Sequence, residues 1–112
     1  MNPADLYSAT LASLVSARSA MLTPEWQDAL ENVSKVDRVK ASHKLLDTQH
    51  AILVLANTQL STIAQKMADQ KDALGATIDN LAKALASLQK VGTVLDAITS
   101  ILNVLARIIP LI

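Results

Sequence analysis

Residues 91–112 of this chain have the sequence VGTVLDAITSILNVLARIIPLI. Twelve of these residues are Val, Leu or Ile, and two, Asp96 and Arg107, are charged. A helix that is apolar on nearly every side has to be buried, either in protein or in lipid. Pro110 is expected to end that helix, because proline cannot continue the backbone hydrogen bonding.

A seven-residue repeat connects this segment to most of the chain. Every seventh residue from position 39 to position 109 is apolar, and a sustained heptad predicts a seam in which helices face one another. Before Lys90 the final helix has one apolar face, whereas after it apolar residues occupy nearly every side. The repeat consists of Val39, Leu46, Leu53, Leu60, Met67, Leu74, Leu81, Leu88, Leu95, Leu102 and Ile109.

The composition indicates an all-α protein. The chain has 112 residues, which is the length of one domain, and 51% of them are hydrophobic. Ala and Leu occur 18 times each, while there are only two aromatic residues and two glycines. An all-β domain needs more turn residues and a core rich in aromatic and β-branched side chains. We therefore expect a single helical domain over residues 1–112.

Two helix starts are well marked, because Asn2-Pro3 and Thr23-Pro24 each place a capping side chain before a proline suited to the first turn. The predicted helices cover about residues 3–21, 24–73 and 77–109. A softer break at Ser34, which resembles a capping box, would divide the second of them. Gly75 is expected to end the long helix, since glycine suits the position after a helix C-terminus.

These helices predict an antiparallel helical bundle or coiled-coil hairpin of three helices, or of four if the chain breaks at Ser34. A continuous helix through Gly75 is the alternative, because one glycine costs a helix only about 1 kcal/mol. The hairpin is favoured because a compact bundle buries more apolar surface.

Protein burial is favoured over lipid burial for residues 91–112. The segment is long enough to span a bilayer, but Asp96, Asn103 and Arg107 argue against an ordinary span. A monomer with two or three other helices can hardly cover such a helix on all sides. We therefore expect a homo-oligomer, or a complex with a helical partner protein, and the alternative is a membrane-active protein that inserts residues 91–112 into a bilayer.

The predicted function is that of a non-enzymatic, self-associating helical protein that acts through an apolar helical surface. The residues predicted to form that surface all lie in the apolar repeat or in the C-terminal segment. They are Leu60, Met67, Leu81, Leu88, Leu95, Ile98, Ile101, Leu102, Leu105, Ile108 and Ile109.

The charge pattern argues against nucleic-acid binding. Ten Lys and Arg residues balance ten Asp and Glu residues, and the densest basic stretch, residues 35–44, is modest. The N-terminus has Asp5 where a secretory signal would have a basic residue, so we expect no cleaved signal and a cytoplasmic location by default.

Few residues suggest catalysis or ligand binding. His43, Asp47 and His50 share a helix face, but the histidines are about 10.5 Å apart along the axis, too far to share one metal ion. The chain has no cysteine and no recognisable nucleophile or phosphate-binding motif. We expect no enzyme activity, metal or cofactor. Trp26 is expected to pack between the first two helices rather than serve as an exposed anchor.

Overall fold

The computed structural model describes residues 2–111 and shows six helices in that range, without a strand. The chain is thus all-α, as predicted, with more helices than the three or four expected. The helices are α1 (Pro3–Ala20), α2 (Pro24–Leu30), α3 (Lys35–Ala56), α4 (Leu60–Asp69), α5 (Lys71–Leu85) and α6 (Val91–Leu105).

The first three helices begin at the capping residues that the sequence marks. The Asn2 side chain accepts a hydrogen bond from the Asp5 backbone N–H at 2.8 Å. Thr23 caps α2 in the same way, and Ser34 caps α3 by accepting from the backbone N–H of Asp37 at 3.2 Å. The chain thus breaks at Ser34, since α3 begins at the next residue. The cap stabilises this break because it satisfies an amide that would otherwise lack a partner.

The predicted single helix over residues 24–73 is divided among α2, α3, α4 and the start of α5. After α3, the side chain of Asn57 donates to the Leu53 carbonyl and that of Thr58 donates to the Val54 carbonyl, each at 2.7 Å. Polar side chains that bond nearby carbonyls offer the backbone an alternative to the helix. Gln70 alone separates α4 from α5, so the chain passes from one helix to the next within a single residue.

Gly75 does not end a helix, and the hairpin predicted there is wrong. The glycine lies inside α5, with no positive φ. The turn instead falls at residues 86–90, where the Lys90 backbone N–H donates to the Ser87 carbonyl at 3.0 Å. The following helix, α6, makes its most extensive contacts with α5. Tertiary packing outweighs the cost of about 1 kcal/mol that glycine imposes within a helix.

The helices pack around α1 and α6. Helix α1 contacts α3, α4 and α5, and α6 contacts α5 and α3. The radius of gyration is 13.9 Å, close to the value of about 13 Å expected for a compact domain of this length. The Tyr7 hydroxyl donates to the Leu55 carbonyl at 2.7 Å and so joins α1 to the end of α3.

The interior leaves no described polar side chain without a partner. Three threonines are buried, and each hydroxyl donates to a backbone carbonyl of its own helix, as in the bond of 2.7 Å from Thr10 to Leu6. Over residues 2–111 every buried side-chain nitrogen or oxygen has a hydrogen-bond partner. The core therefore carries no large desolvation penalty.

Candidate interaction surface on the third helix

The Val, Leu and Ile residues between positions 91 and 109 lie in the core of their own chain. Of the residues predicted to form the interaction surface, Leu60 is half-buried and the other ten are buried. A second copy could reach those ten only if the helices separated. The other helices of the chain thus cover the apolar surface for which the sequence suggested an oligomer. Ile112, the last residue of the segment, lies outside the described residues.

A polar edge on α6 explains how its charged residues are accommodated. Asp96, Ser100 and Asn103 of α6 are all exposed, as is Arg107, two residues beyond the end of the helix; the spacings are four, three and four residues. Such residues lie along one side of a helix. The helix is therefore amphipathic: its polar side, which also includes the exposed Gly92 and Thr93, is in water, and its apolar side lies in the core. Among residues 2–111 no helix is both long enough and apolar enough to cross a bilayer.

The apolar repeat does not form one continuous seam. Its later members, from Met67 onward, are buried, whereas Val39, Leu46 and Leu53 are exposed. All three of these exposed residues belong to α3. The interruptions at residues 57–59 and at Gln70 allow α3, α4 and α5 to have different orientations about their axes. Residues of the repeat therefore face the core in one helix and the solvent in another.

The exposed side of α3 has a regular pattern of its own. Successive residues on it are separated by three and four positions, the spacing of a coiled-coil seam. Its four aliphatic members are between 47% and 75% exposed. We call this surface the α3 stripe; it consists of Val36, Val39, His43, Leu46, His50 and Leu53.

The orientation of α3 follows from its opposite side. Ala41, Thr48 and Leu55, seven residues apart, are buried there, and the helix contacts α1 and α6. Small side chains at Ala41 and Thr48 allow these helices to approach closely. At the N-terminal end of α3 every residue from 35 to 40 is exposed, so the first turns are not covered by the rest of the chain.

The two histidines and Asp47 do not form a metal site. No group of three or more His, Asp or Glu side chains within residues 2–111 is placed to hold an ion. Asp47 instead pairs with Lys44 on the same helix, at 3.9 Å. With His50, these two residues line a shallow groove of about 240 Å³ whose other wall includes Leu102 and Asn103 of α6.

Trp26 is buried and belongs to the core, in agreement with its predicted structural role and not with an exposed anchor. The basic residues Lys35, Arg38 and Lys40 are exposed around the start of α3. Between them lie Val36, Asp37 and Val39, which are also exposed. The first turns of α3 therefore present both charged and apolar side chains to the solvent.

Comparisons with family models, with curated proteins and with solved structures give no match to this chain.

Proposed function

We propose that this protein is a non-enzymatic, self-associating helical protein and that its contact surface is the α3 stripe. The observation that carries the proposal is the concentration of exposed apolar residues on one helix. Five large apolar side chains are strongly exposed within residues 2–111, and four of them, Val36, Val39, Leu46 and Leu53, belong to the stripe. Single exposed apolar residues are common, but a contiguous group is typical of an interaction site.

The chemistry of the stripe favours another helix as its partner. Val and Leu at alternating spacings of three and four residues are the side chains that pack between two helices. The imidazole rings of the two histidines add planar surface between these aliphatic side chains. A second copy of the chain supplies the same surface, so a symmetric dimer covers both stripes at once.

The size of the stripe predicts a weak dimer. From Val36 to Leu53 it extends about 25 Å at 1.5 Å per residue. A contact one helix wide over that length would bury roughly 500 Å² per copy, or about 1,000 Å² in total. This area is near the lower limit for a specific interface, and we expect a dissociation constant of about 1–100 µM.

Leu46→Asp tests the proposal, with Leu22→Asp as its matched control. The two leucines are similarly exposed, 62% for Leu46 and 59% for Leu22, but Leu22 lies between α1 and α2, outside the stripe. Both substitutions add one carboxylate to an exposed position and should leave the fold intact. Only Leu46→Asp would bury a charge in the dimer, which should weaken association by at least about a hundredfold.

Sedimentation equilibrium over a range of protein concentrations measures the effect, and circular dichroism verifies the helix content. We expect the wild type and Leu22→Asp to dimerise with similar constants and Leu46→Asp to remain monomeric. A wild type that is monomeric throughout the micromolar range would contradict self-association. Equal effects of the two substitutions would contradict the assignment of the surface to the α3 stripe.

A further inference from the structure

We infer, on the basis of the proposed function, that the second copy binds antiparallel to α3, in one register set by Lys40 and Asp47. Charged residues lie on both sides of the stripe. One flank presents Lys40 and Asp47, seven residues apart and both exposed, and the other presents Lys35 with the uncharged Ser42 and Gln49. Because the two flanks carry different charges, the parallel and antiparallel orientations of a dimer, and its possible registers, differ in electrostatic energy.

A parallel dimer brings opposite flanks together. In that arrangement Lys35 of each copy lies beside Lys40 of the other, on both sides of the seam, because facing flank positions are offset by five residues. Each histidine would also lie opposite the same histidine of the second copy. Two repulsive Lys–Lys contacts therefore disfavour the parallel orientation.

An antiparallel dimer brings like flanks together and can make attractive contacts. When the two-fold axis passes between Lys44 and Leu45, Lys40 of each copy lies beside Asp47 of the other. The symmetry produces this contact twice. Among residues 2–111 Lys40 is in no ion pair, and Asp47, which also lies 3.9 Å from Lys44 of its own helix, can accept from both lysines.

The same register gives the most complete apolar contact. Val36 lies opposite Leu53 of the second copy, Val39 opposite His50, and His43 opposite Leu46. Symmetry repeats these three pairs, so all six members of the stripe are covered. Each histidine then faces an aliphatic side chain rather than another imidazole.

Displacement by one heptad is unfavourable in either direction. One shift places Lys40 beside Lys40 of the second copy and leaves Leu53 uncovered. The other places Asp47 beside Asp47 and extends the contact to Asn57 and Leu60, beyond the end of α3 at Ala56. Like charges therefore disfavour both displaced registers, and the central one remains.

Charge reversal tests the register. Lys40→Glu or Asp47→Lys alone replaces two attractive contacts by two repulsive ones, and each should weaken the dimer about tenfold. In a parallel dimer Lys40→Glu would have the opposite effect, because the introduced carboxylate would lie beside Lys35 of the second copy. Lys71→Glu, at an exposed position on α5, controls for the change in net charge.

Two combinations should restore association. The chain that carries both Lys40→Glu and Asp47→Lys should dimerise within about twofold of the wild type, because the attraction is reversed but intact. An equimolar mixture of the two single variants should form a heterodimer more tightly than either forms a homodimer. Sedimentation of each sample, with circular dichroism to verify folding, provides the measurement.

These measurements distinguish the antiparallel register from self-association through the α3 stripe. Additive losses in the double variant, no effect of the single variants, or tighter binding by Lys40→Glu would overturn the register while Leu46→Asp still abolishes the dimer. A partner copy in another orientation would then occupy the stripe. A monomeric wild type would overturn the proposed function itself.

Discussion

Leu95 and Leu46 occupy equivalent positions of the seven-residue repeat, yet their replacement by alanine should have very different consequences. Leu95 is 1% exposed in the core of α6, whereas Leu46 is 62% exposed on α3. Truncation of a buried leucine typically costs about 2–5 kcal/mol, through lost transfer energy and the cavity that remains. A domain of this size has a total stability of roughly 6–17 kcal/mol, so Leu95→Ala should lose a large part of it.

Leu46→Ala should change the stability of the monomer by less than about 0.5 kcal/mol. Little buried surface is lost, and the higher helix propensity of alanine offsets part of that loss. Urea unfolding followed by circular dichroism measures both variants. The protein concentration has to lie well below the expected dimer dissociation constant, because association adds its own stabilisation.

Similar costs for the two substitutions would refute this reasoning. They would mean that the repeat forms one continuous seam and that α3 is covered as α6 is. At protein concentrations above the dissociation constant we expect the stability of the wild type to increase, and Leu46→Ala should lose part of that increase.

Two further substitutions test the fold. Gly75→Ala should raise the free energy of unfolding by about 0.5–1 kcal/mol, because Gly75 is within α5 and no atom lies within 4 Å of an added Cβ; a loss of stability in urea unfolding would instead indicate a turn with positive φ at this residue. Tyr7→Phe removes the hydrogen bond to the Leu55 carbonyl and should lower stability by about 0.5–1.5 kcal/mol, and an unchanged urea midpoint would contradict that contact.

Local chemistry explains which parts of the fold the sequence predicts. The starts of α1, α2 and α3 depend on Asn2, Thr23 and Ser34, whose side chains bond amides three residues away. Such caps are visible without knowledge of the tertiary structure. The all-α class follows in the same direct way from the scarcity of aromatic and turn residues.

The later breaks depend on packing and are harder to predict. Neither glycine nor proline, the residues that most often end a helix, occurs at residues 57–59, at Gln70 or at residues 86–90. Gly75 carries that signal but lies within α5. Without these breaks the apolar repeat predicts one continuous seam, whereas the orientation of each helix depends on its own contacts.

The α3 stripe is exposed although its leucines belong to the same apolar repeat as core residues. The sequence places Leu46 and Leu53 in the same column as core residues, while the buried side of α3 presents the less apolar Ala41 and Thr48. Small residues on the buried side allow helices to approach closely, so hydrophobicity alone does not indicate which side of α3 is buried. The spacing of Val36 and Val39 with the later members was the signal that could have identified the stripe.

Thiol accessibility at two introduced cysteines tests the central claim most directly, because the chain has no cysteine of its own. Val39→Cys places a thiol in the α3 stripe, and Leu95→Cys places one in the core. We expect the first thiol to react rapidly in dilute protein and to become protected as the concentration rises through the dimer range, while the second stays protected throughout. A thiol at position 39 that reacts equally fast at all concentrations, or one at position 95 whose protection requires high concentration, would contradict the account.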